Sequence, residues 1–136
     1  MKSLLIMSLM VLFNTTGYSQ TLDELSSLQW KNRLVILNEI GDPNQVLQVL
    51  ETQQKEIEER DILWFVLLGH DALSNYPGKL SSSFVDNIRK KYQLKKNQVI
   101  LIGKDGGLKS SFDSINLNAI FSDIDAMPMR QREMQQ

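Results

Sequence analysis

The chain contains no cysteine. That absence excludes disulfides, thiolate nucleophiles and thiolate metal ligands together. Histidine is nearly absent too: His70 stands alone, and no acidic cluster has the spacing to complete a metal site around it. The three prolines are scattered, and no repeat, linker or low-complexity tract interrupts the chain. Charge of one sign is also missing. Fifteen Lys and Arg against 16 Asp and Glu leave a net charge of −1, so nothing draws the whole molecule toward nucleic acid. Long apolar runs are confined to Leu4 to Phe13, which Ser8 breaks. A membrane-spanning helix needs about 20 apolar residues, so this run is too short to be an anchor.

What is present is an ordinary globular composition of 136 residues, 42% hydrophobic and 23% charged, enough for one domain. Lys2, the apolar run and the small residues Gly17 and Ser19 form the three regions of a secretory signal peptide. Residues 1–19 are therefore expected to be removed, leaving residues 20–136 as a single exported domain, periplasmic or extracellular. No cysteine follows the apolar run, so a lipid anchor is excluded and no stable membrane anchor is expected.

Thr21 to Leu28 reads as a short helix, with Thr21 and Glu24 spaced as a capping box. Leu34 to Leu37 is an apolar run without alternation, as a strand covered on both faces would be. Gly41-Asp42-Pro43 stops that strand and opens a helix running to about Arg60. Asp61 to Leu68 predicts a second strand, and Gly69 to Lys79 a polar loop. Phe84, Val85, Ile88 and Tyr92 mark the inner side of a third helix. Val99 to Ile102 and Leu108 to Phe112 flank Asp105-Gly106, the pair that favours a tight hairpin. Leu117, Ile120, Phe121 and Ile124 recur at helical spacing. The order β-α-β-α-β-β-α begins with a right-handed parallel βαβ unit and ends with an antiparallel hairpin. It predicts a four-stranded mixed sheet with helices on both faces, an α/β architecture of thioredoxin-like type.

Four segments carry a more specific resemblance: Trp30-Lys31-Asn32-Arg33, Glu59-Arg60-Asp61, Ile102 to Lys109, and Ile124 to Arg130. Together they resemble an uncharacterised thioredoxin-like domain. It occurs alone in exported bacterial proteins and as the C-terminal part of vertebrate extracellular-matrix proteins with sushi repeats. The resemblance implies fold and location, not activity. Thioredoxin-like oxidoreductases carry reactive cysteines just after the first core strand and a cis-proline before the third. The matching residues here are Glu39 to Asn44 and Lys96-Asn97-Gln98, so neither thiol–disulfide exchange nor thiol peroxidase chemistry is expected.

The candidate functional residues fall into three groups. His70 sits beside Asp71 at a strand end, where ligands of open α/β sheets tend to bind. Lys90 and Lys91, with Arg89, Lys95 and Lys96, form the one basic cluster, which suits an anionic polysaccharide or simply solvates a helix end. Met127, Met129, Arg130 and Arg132 close the chain with adaptable apolar and cationic side chains of the kind found on recognition faces. Lys104-Asp105-Gly106-Gly107 is explained by turn chemistry. Asp123 and Asp125, two apart on a helix, point in different directions. The leading expectation is a non-catalytic binding module without cofactor or metal, whose partner is an envelope or extracellular protein or an anionic polysaccharide. The competing one is an enzyme or small-molecule carrier with a non-cysteine site at the strand ends, around Asp42, His70 and Arg130.

Overall fold

The structure is a computed structural model and describes residues 21–136. The expected signal peptide and its cleavage site lie outside the described residues. Strand β1 (Arg33–Asn38) is buried along its whole length. Helix α1 (Pro43–Thr52) starts at Asp42, whose carboxylate accepts the Asn44 backbone N–H at 3.0 Å, with Pro43 in the first turn. Helix α2 (Gln54–Glu59) leads into β2 (Ile62–Leu68), and β3 (Asp71–Ser74) follows at once. Helix α3 (Phe84–Tyr92) ends on Gln93, left-handed at φ 50°; then come β4 (Gln98–Ile102) and β5 (Leu108–Phe112). Helices α4 (Leu117–Asp125) and α5 (Pro128–Met134) complete the chain, the first capped by the Asn116 side chain.

The sheet order is β3-β2-β1-β4-β5. Strand β1 pairs in parallel with β2 and antiparallel with β4, as a βαβ unit followed by a hairpin requires. Alternation then sorts the apolar residues between two faces. Val35, Leu37, Trp64, Val66, Val99 and Leu101 pack under α1, α2 and α4. Leu34, Ile36, Phe65, Leu67, Ile100 and Ile102 pack under α3 and the N-terminal segment carrying Leu22, Leu25 and Leu28. On that second face Phe65 and Phe84 meet with ring centroids 5.1 Å apart. Burying such a side chain stabilises by about 1.5–3 kcal/mol, so a chain without cysteine is held together by this apolar core.

Three expectations need correction. The sheet has five strands, because Asp71–Ser74 pairs antiparallel with β2 where a loop was expected. Asn75 prolongs that pairing with its side chain, accepting from the Trp64 N–H at 2.8 Å and donating to the Ile62 carbonyl at 3.2 Å. The helix expected to run unbroken to Arg60 stops at Thr52 and restarts at Gln54. Next to the break, the Thr52 hydroxyl donates to the Gln48 carbonyl at 2.6 Å, the local competition that bends helices. The N-terminal helix shrinks to a 3₁₀ turn over Ser26–Leu28, preceded by a parallel bridge between Leu22 and Leu80. Among the described residues no helix is long and apolar enough to cross a membrane.

Candidate functional site

Arg33 opens the apolar strand β1 and is 1% exposed. A guanidinium taken out of water needs charged partners and saturated donors. Its Nη1 donates to the Arg60 carbonyl at 3.0 Å, and Nη1 and Nη2 donate to Glu133 at 3.2 and 3.1 Å. Glu133 also accepts from Lys104 Nζ at 2.8 Å, and Lys104 donates to Asp61 at 2.9 Å. The helix and hairpin ends are thereby tied to the first residue of the central strand.

A second knot lies beside the first. Arg60 donates two parallel hydrogen bonds to Asp125, at 3.0 and 2.8 Å, while its guanidinium lies 4.4 Å from the centroid of the Phe121 ring. Arg130, 4% exposed, donates to the same carboxylate at 3.1 Å and to the Glu59 carbonyl at 3.2 Å. The Arg60 hydrogen bonds, with those of Arg130, hold the Asp125 carboxyl below its usual range against the cost of burial. Burial pulls Glu133 upward, but its bonds to Arg33 and Lys104 outweigh that and hold it low. All four segments that carry the family resemblance contribute to these knots, at the end of the sheet where β1 and β2 begin.

The same end holds a cavity of about 260 Å³ between α5 and the β4–β5 hairpin. Arg33 and Gly103 are its buried lining; Met127 and Met129 are half-buried; Lys109 and Arg132 are exposed. A Cβ on Gly103 would stand 2.5 Å from Lys109 Cε, so glycine lets the lysine cross to Asp105, which it reaches at 2.8 Å. That bond, with the Gly107 backbone N–H, holds the Asp105 carboxyl low. The Arg132 side chain has no partner among the described residues. Arg33 Nε is buried and has no acceptor. An unpaired buried donor costs about 1–3 kcal/mol. Trp30, 62% exposed at φ 71°, stands on the same end, its backbone N–H donating to the Lys104 carbonyl at 2.6 Å.

Of the expected residues, Met127, Met129 and Arg132 line this cavity, whereas Arg130 is turned inward as a structural lock. Asp42 and His70 lie at the opposite end of the strands from Arg130. They are also held on different faces: Asp42 caps α1, and the exposed His70 stands 3.7 Å from Asp86 on α3. The three residues of the expected strand-end site are not brought together. Lys90 and Lys91 are exposed on α3, but Arg89 turns inward to Asn38 Oδ1 at 2.9 Å and to the Gly69 carbonyl. Among the described residues no group of acids and histidine is placed to hold a metal. Sequence reasoning passed over Arg33, Lys104, Lys109 and Glu133 as site residues. An arginine flush against an apolar strand was the available signal, since such a position is buried and must be paired.

The strand order, the two covered faces and the thiol-free start of α1 define a thioredoxin-like protein without the cysteines of a thiol redox centre. The chain belongs to the family described as a domain of unknown function, DUF4174, whose model matches residues 24–133. Comparison with curated protein sequences gives no significant match. Among solved structures it is similar to the reduced 2-Cys peroxiredoxin of Plasmodium vivax, with a TM-score of 0.56 at 14% identity over 79% of this chain and 84% of that one. Thioredoxin peroxidase I of Plasmodium yoelii gives a TM-score of 0.54 at 17% identity over 79% of each chain. The mitochondrial 2-Cys peroxiredoxin of Plasmodium falciparum gives 0.52 at 16% identity, over 75% of this chain and 79% of that one. At these identities the likeness is one of fold; a chain without cysteine shares no thiol chemistry with proteins named for theirs.

Proposed function

We propose that this protein is an exported, non-catalytic binding module that recognises an envelope or extracellular protein through the sheet end between α5 and the β4–β5 hairpin. One observation carries the reading. Three of the four family-like segments, distant in sequence, line a single face that is concave, part apolar and flanked by cations, and the fourth, Glu59-Arg60-Asp61, braces it through Arg33, Lys104 and Asp125. Met127 and Met129 supply adaptable apolar surface, Arg132 an uncommitted guanidinium, and Trp30 an exposed aromatic of the type that anchors interfaces. An anionic polysaccharide is the second class of partner, met through exposed Lys90, Lys91, Lys95 and Lys96.

The test is cross-linking and affinity capture with the full chain in its native envelope, comparing wild type with Met129→Gln and Arg132→Gln. Deleting α5 would not serve, because Arg130 and Glu133 hold the fold together. One stoichiometric partner that both substitutions release supports the reading. Capture that neither substitution changes refutes the assignment of this face.

A further inference from the structure

We infer that the cavity between α5 and the β4–β5 hairpin binds a carboxylate carried on a short apolar body. The inference rests on the proposed recognition face and names the chemistry that face would read. Arg33, Lys109 and Arg132 take the charge, and Met127 and Met129 take the hydrocarbon.

The charge requirement comes from the donors. Arg33, 1% exposed and lining the cavity, keeps Nε buried without an acceptor although both its Nη atoms are hydrogen-bonded. Arg132 stands at the rim with no partner at all among the described residues. Lys109 is held only by its partly exposed pair with Asp105, an interaction weak enough to exchange for a ligand. Four lining cations, Arg33, Lys104, Lys109 and Arg132, against the single lining acid Asp105 favour an anion, and guanidinium forks match the two oxygens of a carboxylate.

The size and the apolar body come from the rest of the wall. A volume of about 260 Å³ has room for roughly nine water-sized groups at about 30 Å³ each, the scale of one small organic acid. Inorganic phosphate would leave the methionine wall unused, and a neutral hydrocarbon would leave Arg132 and the Arg33 Nε donor unanswered. Two sources present the fitting chemistry: a free short-chain acid, and the C-terminal carboxylate of a polypeptide ending in an apolar residue.

The experiment follows the methionine methyl resonances of the full chain by NMR during titration with isocaproate, isocaproamide, inorganic phosphate and an acetylated tripeptide ending in leucine, free or amidated. The expected result is saturable movement of the Met127 and Met129 signals by the free carboxylates alone. Arg132→Gln should weaken binding roughly tenfold or more, with an unchanged unfolding midpoint. Tighter binding of the tripeptide than of isocaproate identifies a chain terminus as the source, and the reverse order identifies a free acid. The inference is overturned if no probe moves these signals, if the amides bind as well as the acids, or if phosphate binds as tightly. Partner capture that still depends on Met129 and Arg132 in that event leaves the recognition face standing and removes only its ligand chemistry.

Discussion

Arg33 and Glu133, a hundred positions apart, face each other through two hydrogen bonds of 3.2 and 3.1 Å across the end of the sheet. The first is the opening residue of the central strand; the second lies in the last turn of α5. Lys104, just beyond β4, reaches the same carboxylate at 2.8 Å. One acid therefore fixes three elements, and α5 is part of the folded core rather than an appended tail. The cavity owes its shape to this clamp, since its α5 wall is seated by Glu133 and Arg130 while its hairpin wall is seated by Lys104.

Glu133→Gln is expected to destabilise the protein by about 2–3 kcal/mol. The amide keeps one acceptor for Arg33 but turns a donor toward two cations, one of them 1% exposed. Water reaching the partly exposed Glu133 side chain limits the loss. The exposed Glu51→Gln serves as control and should stay within about 0.5 kcal/mol of wild type. Denaturant midpoints decide it: a Glu133→Gln protein as stable as the control would show that the clamp contributes nothing.

Stability should fall in acid along a definite course. Asp125 and Glu133 both have folded-state carboxyls held below their ordinary values, so the folded chain binds fewer protons than the unfolded one. Their contribution is complete above the unfolded carboxylate values, about 4, and disappears as pH falls through the lower folded values. The melting temperature should therefore be level from neutral pH to about 5 and drop steeply below about 4. Asp125→Asn should be less stable at neutral pH and show a shallower acid slope. Parallel acid profiles for the two proteins would contradict the assignment.

What the sequence revealed and what it hid divide along physical lines. Unbroken apolar runs announced β1, β2 and β4, because strands covered on both faces have no polar side to show. Strand β3 was hidden: at the sheet edge Asp71 and Leu73 are exposed while Ala72 and Ser74 are half-buried, and four such residues look like a loop. The methionine and arginine character of the C-terminal segment was legible, and three of its four named residues do line a cavity. Arg130 was not separable from Arg132 by type. Only the fold sends one inward to Asp125 and leaves the other in water. The clamp could not be read at all, since charged residues this far apart carry no periodicity.

The fork between Arg60 and Asp125 should be measurably cooperative. Arg60→Lys loses the second parallel bond and the planar contact with Phe121, and should cost about 1–2 kcal/mol. Asp125→Asn should cost more, because Arg130 shares that carboxylate. Combined, the two substitutions should cost less than the sum of the singles by about 1 kcal/mol, since the interaction is lost only once. Strict additivity in a double-mutant cycle would mean that the fork is a geometric coincidence.

Gly103→Ala separates the cavity's electrostatics from its stability. The backbone at Gly103 is not in the left-handed region, so alanine adds no conformational strain there. Its Cβ would meet the far end of the Lys109 side chain at 2.5 Å and Asp105 Oδ1 at 3.1 Å. The lysine is flexible and exposed, so it can swing away, and the stability cost should stay below about 1 kcal/mol. Asp105 would lose the hydrogen bond that holds its carboxyl low, and its pKa should rise toward the ordinary aspartate value. An NMR titration of the Asp105 carboxyl carbon in both proteins measures this directly. A raised pKa with an almost unchanged unfolding midpoint would show that Gly103 serves the placement of Lys109 over the cavity. A large loss of stability with the Asp105 pKa unmoved would show instead that the glycine is needed for packing of the hairpin.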